Sequence, residues 1–275
     1  MSILEAIVLG LVQGLTEFIP ISSTAHLAIV PILLGWGDPG AAASAVIQFG
    51  TLLAVIIYYA RDIVQLIKGF IRGLITRRPF ADDDSRMAWL VIFGTIPIVI
   101  AGLLLKKHIE STFRGLWVIT TMVIVVAILM AIAEAYAKKL QLKSFEQITV
   151  ADSIAIGLGQ CIALMPGSSR SGTTIMTALF RRIDRPAAAR FSFLLSIPAV
   201  GAAGVLELFH ERKHLAELGW MPIAVAIFVA FVSGYVSIWF LINYLKKHTT
   251  YVFIWYRFAL GAVMIALLAS GWLKG

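Results

Sequence analysis

The chain has 275 residues, of which 60% are hydrophobic and only 14% are charged, and its formal net charge is +8. Soluble domains carry about 25% charged and about 45–50% apolar residues, so this composition excludes an ordinary soluble globular protein. Lys and Arg residues that flank membrane segments and face anionic lipid explain the positive charge better than nucleic-acid binding does. We therefore expect membrane lipids as partners, and no nucleic acid.

Six segments are apolar over about 20 residues, which is the length that crosses a bilayer. They predict transmembrane helices over 41–60, 87–105, 116–137, 191–209, 221–245 and 252–273. After the first of these, apolar residues recur at helical spacing, with Arg61, Lys68 and Arg72 on the other face. This pattern predicts an amphipathic helix over 61–78 that lies in the membrane interface. The acidic run 81–85 that follows is expected to be a solvated loop.

Two further apolar regions are interrupted by helix-ending residues. The region 3–36 is broken at 19–23, and the region 151–180 is broken at 166–169. Both breaks combine Pro with serines, and the second adds Gly, which ends a helix. Non-helical backbone at membrane depth is tolerated only where it is buried in protein or lines a cavity. Each region therefore predicts a re-entrant helix–loop–helix hairpin.

The two broken regions resemble each other in sequence. Gly10 and Gln13 precede the first break as Gly157 and Gln160 precede the second. An alignment with one residue fewer in the second region then matches Ser22-Ser23 with Ser168-Ser169.

Each hairpin is followed by three spans, so the chain divides into two repeats, 1–149 and 150–275, within one membrane domain. A hairpin leaves the membrane on the side where it entered, and three spans are an odd number, so the second repeat must be inverted. The predicted fold is an all-α integral membrane protein. It has two inverted repeats, each with a re-entrant hairpin and three transmembrane helices.

The distribution of Lys and Arg predicts the orientation. Fifteen of the 23 lie on one side, within 61–86, 138–150, 181–190 and 246–247. Six lie on the other side: Lys106, Lys107, Arg114, Arg212, Lys213 and Lys274. The positive-inside rule places the fifteen in the cytoplasm. The first hairpin then opens outward, and the second enters from the cytoplasm.

Polar residues at membrane depth are costly and indicate function. Before the first break, Gln13 and Glu17 lie four residues apart on one helix face; after it come Ser23 and His26. The second break supplies a larger polar set, which comprises Ser168, Ser169, Arg170, Ser171 and Thr174. Bonds to the backbone or to a neighbouring helix explain such Ser and Thr residues equally well. An unpaired Arg170 favours a bound anion.

These residue types together support phosphoryl transfer on a lipid. The guanidinium of Arg170 suits phosphate oxygens, and Glu17 beside Gln13 offers oxygen ligands for Mg²⁺ or Ca²⁺. Ser23 or His26 could attack phosphorus or activate water. The usual division of labour makes Ser23 the nucleophile and His26 its base, acting as a pair, but the reverse assignment stays open.

The two polar stretches resemble a known family. QGLTEFIPISSTAH at 13–26 and PGSSRSGTT at 166–174 are similar to the two signatures of undecaprenyl-diphosphate phosphatase, the bacitracin-resistance family. The resemblance covers nearly the whole chain. It implies a hydrolase of the bacterial inner membrane that needs a divalent cation and removes the terminal phosphate from a C55 isoprenyl diphosphate. Such an enzyme recycles the carrier lipid for peptidoglycan and other cell wall polymers and confers bacitracin resistance.

The resemblance also implies which residues form the site. The polar site of the family carries over onto Glu17, Ser23, His26, Ser169, Arg170 and Thr174. The acidic motif of the family is Glu or Gln, three residues, then Glu. This chain has Gln13 at the first position, so a bound cation would have one charged ligand fewer than in the two-Glu form.

A transporter is the competing class of function, because inverted repeats with broken helices are typical of transporters. A lipid-phosphate flippase or an ion-coupled carrier would use Arg170 for a phosphate head group and Glu17 for the coupling ion. For the enzyme we expect access from the periplasmic side, since the first hairpin opens outward and a diphosphate does not cross the hydrocarbon core cheaply. The sequence leaves a homodimer open.

Overall fold

The computed structural model of the chain describes residues 1–36, 40–80, 82–110, 113 and 115–273, without the side chains of 40–42, 45, 106–107, 110 and 206–218. The described residues form eleven α-helices, with short 3₁₀ helices at Phe145–Gln147 and Ile162–Leu164. The α-helices are α1 Ile3–Phe18, α2 Ser23–Leu33, α3 Gly40–Tyr58, α4 Ala60–Ile75, α5 Asp83–Glu110, α6 Leu116–Ala137, α7 Val150–Cys161, α8 Arg170–Phe180, α9 Arg185–Leu218, α10 Trp220–Leu245 and α11 Tyr251–Ala269. No β-strand occurs in these described ranges, which confirms the all-α prediction.

Five of the described helices are long and apolar enough to cross a membrane. They contribute the segments Asp83–Leu105, Leu116–Ala137, Arg185–Val205, Trp220–Leu245 and Tyr251–Ala269. A sixth span results if α3 and α4, which are bent by 74° at their junction, are counted together. The five helices coincide with five of the six predicted spans, because long apolar runs satisfy their backbone polar groups most simply as helices. The remaining prediction, 41–60, falls on α3, which counts as a span only together with α4.

The bend between α3 and α4 separates a span from an amphipathic helix. Helix α4 exposes Val64, Ile67, Ile71 and Leu74, and the basic residues Lys68 and Arg72 lie between them in sequence. An exposed apolar stripe beside a charged face is typical of interfacial helices. The position of α4 in the interface stays a prediction.

The acidic run after α4 differs from the expected loop. Asp83 and Asp84 belong to the first turn of α5, where carboxylates are stabilised by the helix dipole. An Oδ1 atom of Asp82 accepts a hydrogen bond of 2.9 Å from the Ser85 N–H, so Asp82 caps the helix start. This bond, together with the Arg72 guanidinium, lowers the pKa of Asp82 below its ordinary value. The loop prediction was wrong because it ignored the capping preference of Asp.

The helices that precede the two breaks each pack against a long helix of the bundle. Helix α1 packs along α10, and α7 packs along α5. A Cβ atom on Gly10 would lie 2.6 Å from the Ala226 carbonyl oxygen, and one on Gly157 would lie 2.3 Å from the Gly94 carbonyl oxygen. Glycine is therefore required for this close approach, which is how small residues join helices in lipid. Each pair brings a hairpin helix of one half of the chain against a long helix of the other half.

Several basic residues between the spans are paired with buried carboxylates. Asp152 is fully buried and bonds the side chains of Lys143 and Arg181, each at 2.8 Å. Glu134 is likewise fully buried and pairs with Arg185. These contacts tie the ends of α6, α7, α8 and α9 together. If one partner were removed, the other would be left as an uncompensated buried charge.

The basic residues predicted for the opposite side have no described side chains. Lys106, Lys107, Arg114, Arg212, Lys213 and Lys274 all lie outside the described residues or side chains. The orientation of the chain in a membrane therefore still rests on the sequence count.

Candidate active site

The two breaks have the same backbone geometry. Ser22 is the N-cap of α2 with φ 77°, and Ser169 is the N-cap of α8 with φ 69°. Each hydroxyl accepts a hydrogen bond from the backbone N–H three residues later, at 3.3 Å in Ala25 and 3.2 Å in Gly172. A left-handed φ is uncommon for serine and often marks functional sites. Both helices thus begin after a capping serine with a strained backbone conformation.

This geometry corrects the alignment of the two broken regions by one residue. Ser22 and Ser169 each stand nine residues after the glutamine of their region, Gln13 and Gln160. No residue is missing from the second region, since capping, and not the position of Pro, defines where each helix begins. The structural counterpart of Ser23 is therefore Arg170.

Four of the predicted site residues meet between the breaks. An Oε2 atom of Glu17 accepts hydrogen bonds from the Gln13 amide nitrogen at 3.1 Å and from the Ser23 hydroxyl at 2.8 Å. The Oε1 atom of Glu17 lies 3.4 Å from Nη2 of Arg170. Glu17 is only 9% exposed, so the carboxylate is shielded from solvent. A hydroxyl, a carboxylate and a guanidinium from both halves of the chain converge here.

The Arg170 side chain is held loosely enough to bind a ligand. Its Nη1 donates to the Ser192 carbonyl at 3.1 Å, and its contact with Glu17 is long for a charged hydrogen bond. The Thr174 hydroxyl bonds the Ser192 hydroxyl at 2.6 Å and the Arg170 carbonyl at 2.8 Å. Thr174 thus fixes the backbone around Arg170 and does not reach Glu17. A guanidinium carries five donors, so donors remain for phosphate oxygens.

His26 does not form the expected pair with Ser23. Its Nδ1 lies 2.7 Å from the Ser22 carbonyl oxygen, and its Nε2 lies 2.7 Å from the Tyr256 hydroxyl. The two rings also stack, with centroids 5.6 Å apart. Both imidazole nitrogens are therefore occupied, and the Ser23 hydroxyl turns to Glu17 instead. The predicted hydroxyl–imidazole contact is absent from the described structure because a carboxylate lies closer to the hydroxyl.

The remaining serines of the second break form local hydrogen bonds. The Ser168 hydroxyl donates to the Met165 carbonyl at 2.6 Å, and the hydroxyls of Ser169 and Ser171 lie 3.1 Å apart. Ser168 and Ser171 are fully buried. Their contacts stabilise the turn before α8, which agrees with the structural explanation of these hydroxyls.

Arg257 joins the two breaks. Its Nη1 donates to the Pro20 carbonyl at 3.4 Å, and its Nη2 donates to the carbonyls of Gly167 at 3.0 Å and Met122 at 3.2 Å. Its Nε donates to the Val123 carbonyl at 3.1 Å, and the side chain is fully buried. The sequence signal was a charge inside an apolar span, but its carbonyl partners could not be predicted.

Sequence reasoning also did not single out Thr24 and Tyr256. The Thr24 hydroxyl accepts a hydrogen bond of 2.9 Å from the Gly167 N–H, which links the two breaks a second time. Tyr256 precedes Arg257 on α11 and holds His26, as described above. Neither residue carries a pattern that separates it from an ordinary span residue, so only the tertiary structure reveals these contacts.

A small cavity is lined by Glu17 and Arg170 together with side chains of α1, α3 and α9. Its remaining walls are formed by Phe18, Thr51, Leu52, Val55, Ser196 and Val200. The lining combines two charged side chains and two hydroxyls with the apolar side chains of Phe18, Leu52, Val55 and Val200.

The chain is similar to known proteins over nearly its whole length. The model of the family "Bacitracin resistance protein BacA" matches residues 6–263. A protein of Chloroherpeton thalassium is 52% identical across 100% of this chain and 99% of its own length, and one of Myxococcus xanthus is 52% identical across 98% and 91%. A protein of Chlorobaculum tepidum is 49% identical across 98% and 99%. All three are named undecaprenyl-diphosphatase. The chain belongs to the bacitracin resistance protein BacA family, and it is a multi-pass membrane protein.

Proposed function

We propose that this chain hydrolyses undecaprenyl diphosphate to undecaprenyl phosphate and inorganic phosphate. The contact that carries the proposal is the Ser23 hydroxyl, which lies 2.8 Å from a Glu17 carboxylate that also contacts Arg170. The names of the full-length relatives support the choice of substrate. The enzyme would regenerate the carrier lipid for cell wall synthesis, and this recycling would account for bacitracin resistance.

Ser23 is the nucleophile in the mechanism that we propose. Its Oγ forms a bond to the terminal phosphorus while its proton passes to Glu17, which already accepts its hydrogen bond. The bond from that phosphorus to the bridging oxygen breaks, and undecaprenyl phosphate leaves. Arg170 stabilises the negative charge on the transferring phosphoryl group. Glu17 passes this proton on to the departing phosphate oxygen. Water then attacks the phosphoserine and gives a proton to Glu17, the bond from phosphorus to the Ser23 Oγ breaks, and Glu17 returns the proton to Oγ as inorganic phosphate leaves.

His26 is the alternative nucleophile. The contacts favour Ser23, because Nε2 of His26 would first have to break its 2.7 Å contact with Tyr256. We propose that His26 instead holds the start of α2 in place through its 2.7 Å contact with the Ser22 carbonyl. Neutral imidazole fits both contacts, with Nδ1–H as donor and Nε2 as acceptor.

Glu17 and its neighbours fit a divalent cation. Among the described residues, no group of three or more His, Cys, Asp or Glu side chains could hold a metal ion. Mg²⁺, however, is commonly bound through one or two carboxylates together with substrate phosphates. Glu17, the Ser23 hydroxyl and the amide oxygen of Gln13 after a flip of that amide provide such hard oxygen donors. We propose Mg²⁺ or Ca²⁺ at Glu17, where it would neutralise charge on the diphosphate.

Two inverted repeats, 1–149 and 150–275, explain the packing of the hairpins. Helix α1 contacts α10 and helix α7 contacts α5, which are the corresponding spans of the opposite repeats. Gly10 and Gly157, which occupy equivalent positions, each meet a backbone carbonyl of that span. The serines that cap α2 and α8 in the same way further support the repeat. Re-entrant hairpins satisfy this arrangement, because their irregular backbone is enclosed by protein.

The proposed placement is the bacterial inner membrane with the site open to the periplasm. The polyprenyl tail would leave the site between α3 and α9, past Leu52, Val55 and Val200, into lipid. The diphosphate would remain at the breaks, where Arg170 replaces part of its lost hydration. Outward access follows from the charge count of the sequence.

Phosphate release tests the reaction. Purified protein in detergent is incubated with farnesyl diphosphate, and free phosphate is measured with Arg72→Lys as a surface control and Ser23→Ala as the site variant. We expect release by the wild type and the control, and a loss of about 100-fold or more in Ser23→Ala. Binding of farnesyl diphosphate without any release would contradict the proposed hydrolysis and would favour a lipid-phosphate transporter.

Thiol labelling tests the accessible side. A Ser23→Cys change in a Cys161→Ala background is labelled with an impermeant thiol reagent in sealed right-side-out vesicles. We expect labelling without opening the vesicles, and protection by farnesyl diphosphate. Labelling only after the vesicles are opened would place the site on the cytoplasmic side.

A further inference from the structure

Gln160 on α7 is a fully buried amide without a hydrogen-bond partner. Neither its nitrogen nor its oxygen is bonded to any described residue, and its exposure is 0%. A structural role as a hydrogen-bonding partner within the described fold does not account for this side chain. A buried amide that makes no hydrogen bond costs stability, whereas an apolar side chain of similar size would not. The amide therefore calls for an explanation outside the resting fold.

The position of Gln160 in its repeat matches that of Gln13. In the first break, the Gln13 amide and the Ser23 hydroxyl bond the same Glu17 oxygen at 3.1 and 2.8 Å. The two side chains therefore lie within about 6 Å of each other. In the first hairpin, the glutamine therefore lies near the first residue of the helix that follows the break.

The second break places Arg170 where the first has Ser23, ten residues after its glutamine in both cases. Leu164 takes the place of Glu17, so no carboxylate stands between Gln160 and Arg170. The Nε atom of Arg170 is also buried and has no partner among the described residues. An amide oxygen is a suitable acceptor for a guanidinium Nε–H. Two unpartnered, complementary groups thus occupy the positions of this hairpin that correspond to Gln13 and Ser23 in the other.

We propose that Gln160 is a positioning residue for Arg170, a role that rests on the proposed function. The diphosphate draws Nη1 and Nη2 of Arg170 away from Ser192 and Glu17. The oxygen of Gln160 then accepts the Arg170 Nε–H, which fixes the plane of the guanidinium. Both terminal nitrogens are left to face two phosphate oxygens at once.

Replacement of Gln160 by leucine separates this role from a structural one. Gln160→Leu removes the unbonded amide, so its thermal unfolding temperature should equal or exceed that of the wild type. Its kcat/KM for farnesyl diphosphate should nevertheless fall about 10- to 100-fold, because Arg170 is no longer oriented. Gln160→Glu keeps an acceptor oxygen at the same reach and should recover most of this loss. Unchanged kcat/KM in Gln160→Leu would overturn the proposal.

Trp89→Phe is the matched control. The Trp89 Nε1 atom is the other buried side-chain atom without a partner in the described part of the chain. Trp89 lies on α5 against Phe70 and Phe93, away from both breaks. Its replacement should leave kcat/KM unchanged. Should Gln160→Leu fail to fold, Gln160→Asn takes its place, since the shorter amide cannot reach Arg170, and normal activity in that variant would contradict the role.

A double-mutant cycle tests whether Gln160 acts through Arg170. Lysine has no Nε–H of this kind, so Gln160→Leu should have no further effect on kcat/KM in an Arg170→Lys background. Independent, multiplying effects of the two changes would overturn the proposal. If the wild type releases no phosphate, the proposed function has failed separately. Calorimetric binding of farnesyl diphosphate then tests Gln160, and weaker binding by Gln160→Leu than by Trp89→Phe is the supporting result.

Discussion

Replacement of Arg257 by lysine should destabilise the protein although it keeps the charge. Arg257 is fully buried and makes four hydrogen bonds to carbonyls on the two breaks and on α6. These bonds start from three nitrogens of one planar group, whereas lysine has a single nitrogen. Lysine can therefore bond the carbonyls of the breaks or those of α6, but not both, and about two of the four hydrogen bonds should be lost. Hydrogen bonds to charged groups contribute about 1.5–3 kcal/mol each, so the expected loss is about 3–6 kcal/mol.

Thermal unfolding in detergent measures this effect. At this chain length about 1 kcal/mol shifts the unfolding temperature by about 2 °C, so Arg257→Lys should unfold about 6–12 °C lower than the wild type. Arg72→Lys is the control, because the Arg72 side chain is 57% exposed and pairs with Asp82 at the surface. Exposed pairs contribute little, and its unfolding temperature should barely change. An Arg257→Lys protein that unfolds together with the control would refute the clamping role of Arg257.

Three further sets of experiments at the site have expected outcomes. Arg170→Lys keeps the charge but loses the fork of donors, so phosphate release should fall about 100-fold or more, and near-normal turnover would remove Arg170 from the site. Chelation by EDTA should stop phosphate release by the wild type, and added Mg²⁺ or Ca²⁺ should restore this release. Glu17→Gln should remain inactive at all metal concentrations, while Gln13→Glu should reach full activity at a lower metal concentration. A preserved metal response in Glu17→Gln would place the metal ligand elsewhere. Rapid quenching with labelled substrate should trap phosphoserine at Ser23, and phosphohistidine at His26 would reverse the assignment.

The sequence predicted the helices well because membrane helices are encoded locally. Apolar runs of about 20 residues and a Pro or Gly with serines at each break need no knowledge of the rest of the chain. The same holds for the candidate residues Glu17, Ser23 and Arg170, since polar groups at membrane depth are conspicuous. Their chemical types alone indicated a phosphorylated lipid.

The predictions from the sequence were wrong where short-range backbone geometry decides the local structure. The alignment of the two broken regions was off by one residue, because Ser22 and Ser169 are N-caps with left-handed φ values. The amino-acid types alone do not reveal this backbone conformation. Asp83 and Asp84 extend α5 instead of forming a loop because Asp82 caps the helix.

Contacts between distant segments were decided by the tertiary structure alone. Glu17 meets Arg170 across 153 positions, and His26 meets Tyr256 across 230 positions, so neither pairing follows from local spacing. By itself the sequence determined an all-α membrane bundle, its two breaks and the types of groups at them. The packing of α1 against α10 and of α7 against α5 decided which groups meet. A hydroxyl bonds the nearest strong acceptor in the folded chain, and for Ser23 this is the Glu17 carboxylate and not the His26 imidazole.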